Sequence, residues 1–212
     1  ADNQDFPDIN ASLNKALRKN VLSPITEKIN LTERLMCAQE FKDINFRLVP
    51  GKCLSINRKA FLNLNKQNGT RHPTNEDRLQ CAENLKKHMD RATKGLTKIN
   101  GKQLFLHEIV AKFVDVHYNT RTSLSEDEKT LYDLQWKDHR THYQEQVENN
   151  SGLDQTLVLA DFSGSMSGEP MNVAAALALM ISSLTPAPWK NKFISFETRP
   201  QLLEIPDTES LE

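Results

Sequence analysis

A mostly helical region over about residues 1–150, followed by a strand–helix–strand–strand α/β portion over about 151–212, is the fold class that the sequence predicts. Three observations carry it. Apolar residues recur at helical spacing in several segments before residue 150. The stretch Asn149-Asn-Ser-Gly-Leu-Asp is polar and contains glycine, as a domain boundary does. Directly after it Leu157-Val-Leu-Ala reads as a strand, and helical and β-rich stretches alternate from there onward.

In chain order, Leu13, Leu17 and Val21 fit a single helix ended near Pro24. Thr26 to Phe41 reads as a second helix, with Ile29, Leu35 and Met36 as core contacts. Ser55 to Leu64 reads as a third, capped by Ser55 and burying Ile56, Phe61, Leu62 and Leu64. The Asn, Gly and Pro of residues 65–74 mark a loop. Thr74-x-x-Asp77 then resembles a cap for a helix through about Lys94, whose sparse apolar positions Leu79, Leu85 and Met89 predict exposure on most sides. Gln103 to Tyr118 is the strongest helical core segment, with Leu104, Leu106, Ile109, Val110, Phe113 and Val116 on one broad face. Ser125-Glu-Asp-Glu caps a last helix that runs through Leu131, Leu134 and Trp136 to about Val147.

The C-terminal portion opens with a strand over 157–161 and continues with Asp161-Phe-Ser-Gly-Ser-Met-Ser-Gly, where Gly164 and Gly168 allow a tight turn and Pro170 suits a first helical turn. Helix 171–184 is apolar nearly all round, which predicts burial between two layers and a large exposed apolar patch if one side is left uncovered. Strands follow at about 191–196 and 201–205, joined through Thr198-Arg199-Pro200.

The loop Asp161-x-Ser163-x-Ser165 carries the chemistry. One carboxylate and two hydroxyls, two residues apart on a loop leaving a strand, can turn three oxygens toward one point, and hard cations such as Mg2+ take oxygen ligands in near-octahedral array. A plainer alternative stands beside this, because Asp and Ser after a strand also cap the following helix.

The same loop, with the apolar helix from Asn172 to Leu184 and then Trp189-Lys-Asn-Lys-Phe-Ile-Ser-Phe, resembles the opening of a von Willebrand factor A-type domain. In that family this loop is the first of three segments of a metal-ion-dependent adhesion site. The resemblance implies that Ser163 and Ser165 bind the metal directly, that Asp161 acts largely through water, and that the metal bridges to a carboxylate on a protein partner. Val49-Pro-Gly-Lys-Cys-Leu-Ser-Ile-Asn-Arg-Lys-Ala-Phe, Leu106-His-Glu-Ile-Val, Leu134-Gln-Trp and Phe193-Ile-Ser-Phe-Glu-Thr-Arg-Pro resemble an uncharacterised family of plants, fungi and large DNA viruses. That family joins a helical half to an A-type domain, in a layout similar to the Ro-type RNA-binding proteins. The adhesion-site pattern also needs a threonine and an aspartate from two later loops, and only 47 residues follow Ser165. The site is therefore expected to be incomplete, and the chain to be a fragment, a cleaved product or one piece of an assembly whose remaining strands come from elsewhere.

Charge is distributed unevenly. Residues 42–102 hold fourteen Lys and Arg against five Asp and Glu, whereas the formal net charge of the chain is −1. Such a surplus suits a phosphate-binding surface, with Arg58, Lys59, Lys86, Lys87, Arg91 and Lys94 as candidate RNA contacts, or it complements the acidic remainder of the chain. Only Phe46 and Phe61 among the aromatics of this segment could stack on bases, so RNA binding would be led by phosphate contacts and depend steeply on salt. Cys37, Cys53 and Cys81 are odd in number and widely spaced, which argues for reduced thiols in an intracellular, cytoplasmic setting, or in a virion if the protein is viral. The longest apolar run, Val173 to Ile181, is too short to span a bilayer, so no membrane partner is expected. His139-x-x-His142 lacks the glutamate of a metalloprotease site, and neither Ser163 nor Ser165 has the nucleophile-elbow pattern. His107 and His117 read as core or capping histidines. The sequence thus predicts a non-enzymatic binding protein that captures a protein partner through a partial Mg2+ site. RNA binding through the basic segment, or an architectural part in a large viral particle or complex, are the alternatives.

Overall fold

The computed structural model describes residues 6–118, 123–149, 152–206 and 211, with residues 6–8 and 115–118 described by their backbone alone. His117 and the side chain of Val116 therefore lie outside the described residues, as does the 150/151 boundary.

The chain begins with α1 (Phe6–Leu17), a π-helical turn over Arg18–Leu22 and α2 (Ser23–Lys28) in continuous succession. Pro24 does not end the helix. The Ser23 N–H reaches five residues back to the Arg18 carbonyl, and this wider turn accommodates a proline ring that would otherwise collide with the carbonyl four residues earlier. Ile9, Leu13, Leu17, Val21, Ile25 and Ile29 recur every fourth residue and are all exposed. A four-residue repeat drifts by about 40° per step around an α-helix, and the slower winding of the π turn brings the stripe back into line.

The second expected helix is broken. Asn30 takes a positive φ of 52°, α3 spans only Thr32–Ala38, and the left-handed Gln39 leads into a 3-10 turn over Phe41–Asp43. Leu35 is buried and Met36 packs beside it, whereas Ile29 is exposed. Helix α4 (Gly51–Phe61) starts four residues before Ser55, directly after Pro50. Ser55 is consequently an interior helical residue and not a cap: its hydroxyl is buried 3.4 Å from the Tyr132 hydroxyl. Leu54 takes the core position, and Ile56 is 67% exposed.

Helix α5 (Glu76–Thr93) is capped by Asn75, whose Oδ1 accepts the Arg78 N–H at 3.1 Å. Asp77 instead accepts the Phe41 and Lys42 N–H groups, each at 2.9 Å, and so ties α5 to the 3-10 turn. Nor is α5 exposed on most sides, since it buries Arg78, Cys81, Leu85, His88, Met89 and Ala92. Helix α6 (Leu106–Tyr118) begins after a turn in which Leu104 is already buried. Helix α7 (Glu126–Asn149) has the expected Ser125 cap, in reciprocal form: Ser125 Oγ accepts the Glu128 N–H at 3.3 Å and Glu128 Oε2 accepts the Ser125 N–H at 3.0 Å.

Strand β1 (Val158–Asp161) leads through a 3-10 turn over Gly164–Met166 into α8 (Glu169–Leu184), followed by β2 (Lys192–Phe196) and β3 (Gln201–Glu204). β1 pairs parallel with β2, Ala160 facing Ser195, and β2 pairs antiparallel with β3, Phe193 facing Leu203. The fold is mixed α/β, helices plus one three-stranded sheet.

One core joins α3, α4, α5 and α7 around Leu35, Leu54, Phe61, Leu85 and Leu131. A second packs Ile109, Val110, Tyr132 and Trp136 against Ala176 and Met180 of α8. Burying each such large apolar side chain contributes about 1.5–3 kcal/mol. On its other side α8 packs through Ala178 against Ala160 and Phe193 of the sheet. It therefore lies between helices and sheet, as its all-round apolar surface requires. The exposed apolar patch falls on the far sheet face instead. There Leu159, Ile194 and Leu202 form a cross-strand row beside Phe196, with Leu159 63%, Leu202 56% and Phe196 53% exposed.

Candidate functional site

Asp161 is the last residue of β1 and lies opposite Phe196 at the carboxyl end of the parallel pair. In open α/β sheets, ligands bind outside this end of the strands. The Phe162 N–H donates to the Phe196 carbonyl at 3.0 Å, holding the start of the loop to β2. The Ser163 N–H then donates to Asp161 Oδ1 at 2.9 Å, and Ser163 Oγ lies 3.0 Å from Ser165 Oγ. Hydrogen bonding from Ser163, first through its hydroxyl and then through its backbone, holds the Asp161 carboxyl below the usual range. None of the three side chains caps α8, whose N-cap is Gly168 at a φ of 92°. The left-handed backbone there requires glycine; Gly164 adopts no such conformation. Pro170 sits in the first turn of α8. Among the described residues no group of three or more His, Cys, Asp or Glu side chains is placed to hold a metal, so a metal here would have to draw on hydroxyls.

The basic residues of 42–102 do not form one face. Arg58 Nε is 2.7 Å from Oε1 of the fully buried Glu128, and its guanidinium lies over the Tyr132 ring. Lys59 donates to Asn68 Oδ1 at 3.0 Å. Lys86 pairs with Asp127, Lys87 with Glu83 and Lys94 with Asp90, at 2.7 to 2.8 Å. Arg78 is buried with its guanidinium 3.7 Å above Phe41. Of the six residues that the sequence suggests for RNA, Arg91 alone has no hydrogen-bond or ion-pair partner among the described residues. Arg47 and Lys98 are unpaired too, and sequence reading passed over them because nothing in the sequence marks which cations lack an acid.

The two parts of the chain meet around a cavity of about 350 Å³ bordered by Lys52, Arg58, His107, Lys112, Glu169 and Asn172. Lys52 Nζ pairs with Glu108 at 2.8 Å, and His107 Nε2 lies 3.4 Å from Glu169 in the first turn of α8. His139 is buried, and His107 stacks on Phe105, in line with structural roles for both. Burial pushes the Cys81 thiol up to about 12 and raises that of Cys53, so neither is a thiolate at neutral pH. No helix among the described residues is long and apolar enough to cross a membrane.

Residues 155–212 match a second domain of unknown function, DUF7788. The chain is 25% identical over 182 residues to "Uncharacterized protein L728" of Acanthamoeba polyphaga mimivirus, an alignment that covers 86% of this chain and 29% of that protein. The chain thus spans under a third of the length of this relative. No solved structure matches it. Over residues 3–146, two thirds of its length, the chain matches the domain of unknown function DUF2828, and it belongs to that family.

Proposed function

We propose that residues 155–212 open a von Willebrand factor A-like domain, and that Asp161, Ser163 and Ser165 supply part of a Mg2+ site through which the protein captures a carboxylate on a protein partner. One observation carries this reading: the two serine hydroxyls lie 3.0 Å apart at the carboxyl end of β1, beside an aspartate that is ionised at neutral pH. Ligands on adjacent corners of a Mg2+ octahedron, with metal–oxygen distances of 2.0–2.1 Å, are separated by roughly 3.0 Å. The hydroxyl pair therefore already has the spacing of one octahedral edge, and Asp161 brings the negative charge that a hard cation requires. Mg2+ bound there would supply an open coordination position for an anionic oxygen. Ser163 and Ser165 would hold it directly, and Asp161 would orient water and set the loop through its bond to the Ser163 N–H.

Titration of the 212-residue chain with Mg2+, and with Mn2+ followed by paramagnetic resonance, tests the site. The expected result is one ion per chain, lost in Asp161→Ala and in the Ser163→Ala/Ser165→Ala pair. Equal binding by those variants, or none by the parent chain, overturns the site. Partner capture that survives both chelation and Asp161→Ala overturns the bridge.

A further inference from the structure

Three cations from three separate segments converge without an acid to balance them. Arg47 lies in the turn before α4, Arg91 in the last turn of α5, and Lys98 in the connection from α5 to α6; all three are exposed, and none has a carboxylate partner among the described residues. Backbone contacts hold these segments side by side. Asn100 Nδ2 donates to the Arg47 carbonyl at 3.4 Å and to the Val49 carbonyl at 2.9 Å, and the Leu96 N–H donates to the Arg91 carbonyl at 2.9 Å.

His88 stands at the centre of this arrangement. It lies three residues before Arg91 on α5, hydrogen-bonds to the Lys98 backbone and is more than nine-tenths buried, yet its Nε2 has no hydrogen-bond partner. Burial first, and then the nearby charges of Arg91 and Arg47, lower its affinity for a proton. The other lysines of α5 show the contrast, since Lys86, Lys87 and Lys94 each have an acid within 2.8 Å. Uncompensated positive potential drawn from three backbone segments is what a multiply charged anion requires, and two guanidinium groups match the tetrahedral oxygens of phosphate.

We propose that Arg47, Arg91 and Lys98 bind a phosphate group, supplied by a free phosphomonoester or by the backbone of a single-stranded nucleic acid. This site is independent of the metal loop. It also differs from a surface built on Arg58, Lys59, Lys86, Lys87 and Lys94, which already have partners within the chain.

The test uses the full 212-residue chain, with adenosine monophosphate and a labelled ten-nucleotide oligouridylate as probes. The His88 imidazole resonances report on the site by NMR. Either probe is expected to shift them. Arg47→Glu/Arg91→Glu is expected to weaken binding at least tenfold and, for the oligonucleotide, to lower the slope of log affinity against log salt by about two. Lys66→Glu, in the exposed loop after α4, should leave both unchanged. Lys98→Gln gives a milder second variant whose folding is not at issue, with a smaller loss expected. Binding of the oligonucleotide alone assigns the phosphate to nucleic acid, and binding of the monophosphate with comparable affinity assigns it to a small ligand. Unmoved His88 resonances with both probes, or binding that persists in the double reversal and in Lys98→Gln, overturns the proposal.

Discussion

Gly101 has no room for a side chain, because a Cβ there would collide with the backbone carbonyl of Gln135, and one on Gly51 would collide with that of Asn100. The same few residues exchange their polar groups. The Gly51 N–H donates to Gln103 Oε1 at 3.0 Å, Gln135 Nε2 donates to the Gly51 and Asn100 carbonyls at 3.1 and 3.3 Å, and the Gly101 N–H donates to Asp138 Oδ2 at 2.9 Å. Gly101→Ala should therefore destabilise the protein by about 1–3 kcal/mol. Gly164→Ala, which meets nothing within 4 Å, should stay within about 0.5 kcal/mol; urea denaturation midpoints compare the two directly. His88 and His139 are held below the ordinary imidazole value, chiefly by burial. Their folded values lie under the unfolded value of about 6.5, so the unfolded chain binds more protons as pH falls below it. Stability should be full above about pH 6.5 and decline as pH falls from there toward the folded values; equal urea midpoints at pH 7.5 and 5.5 would contradict this. The segments Val49-Pro-Gly-Lys and Leu134-Gln-Trp, which carry the family resemblance in the sequence, turn out to be the strands of this backbone junction. What they do there was not legible, because Gly51 and Gln135 are 84 residues apart and only tertiary packing joins them. Asp77 was misread for the same reason: its hydrogen bonds serve a turn 35 residues earlier.

At the scale of elements, α1, the π turn and α2 form a helical arm, and neither the π turn nor α2 buries a residue. Removing residues 1–29 should shift the thermal midpoint by no more than about 2 °C, since no core contact is lost. A larger fall in a scanning calorimetry trace would show that the arm packs on the body in solution. The sequence announced the helical spacing of the arm but not its continuity through Pro24, because a proline ends a helix only where the turn before it keeps the ordinary four-residue bonding. Helix α5 was underestimated because its buried face includes Arg78, His88 and Cys81, which a search for apolar periodicity discounts. Helix α8 was the clearest element to read. With apolar residues on every side it had to be covered on two, and α6 and the sheet cover it.

Across the whole molecule, α8 belongs to the core it shares with α6 and α7 and to the core it shares with the sheet. The helical part and the α/β part should accordingly unfold together. Far-UV circular dichroism and tryptophan fluorescence, which reports on Trp136 and Trp189 in the two parts, are expected to give coincident urea transitions; two separated transitions would contradict this coupling. The order of helices, then strand, helix and two strands, was legible from turn residues and apolar runs. The bare sheet face was not, because Leu159, Ile194 and Leu202 have the composition of a covered strand and only the pairing register shows that they share one side.

The double attachment of α8 also sets how the molecule would carry a mechanical load. A pull on the loop at 163–165 enters α8 at its first turn and runs along its axis. With α6 gripping one flank and the sheet the other, both apolar seams would slide at once, and neither could be peeled open from one end. Tension at that loop is thereby passed into the helical body as shear, the loading direction that packed side chains resist best.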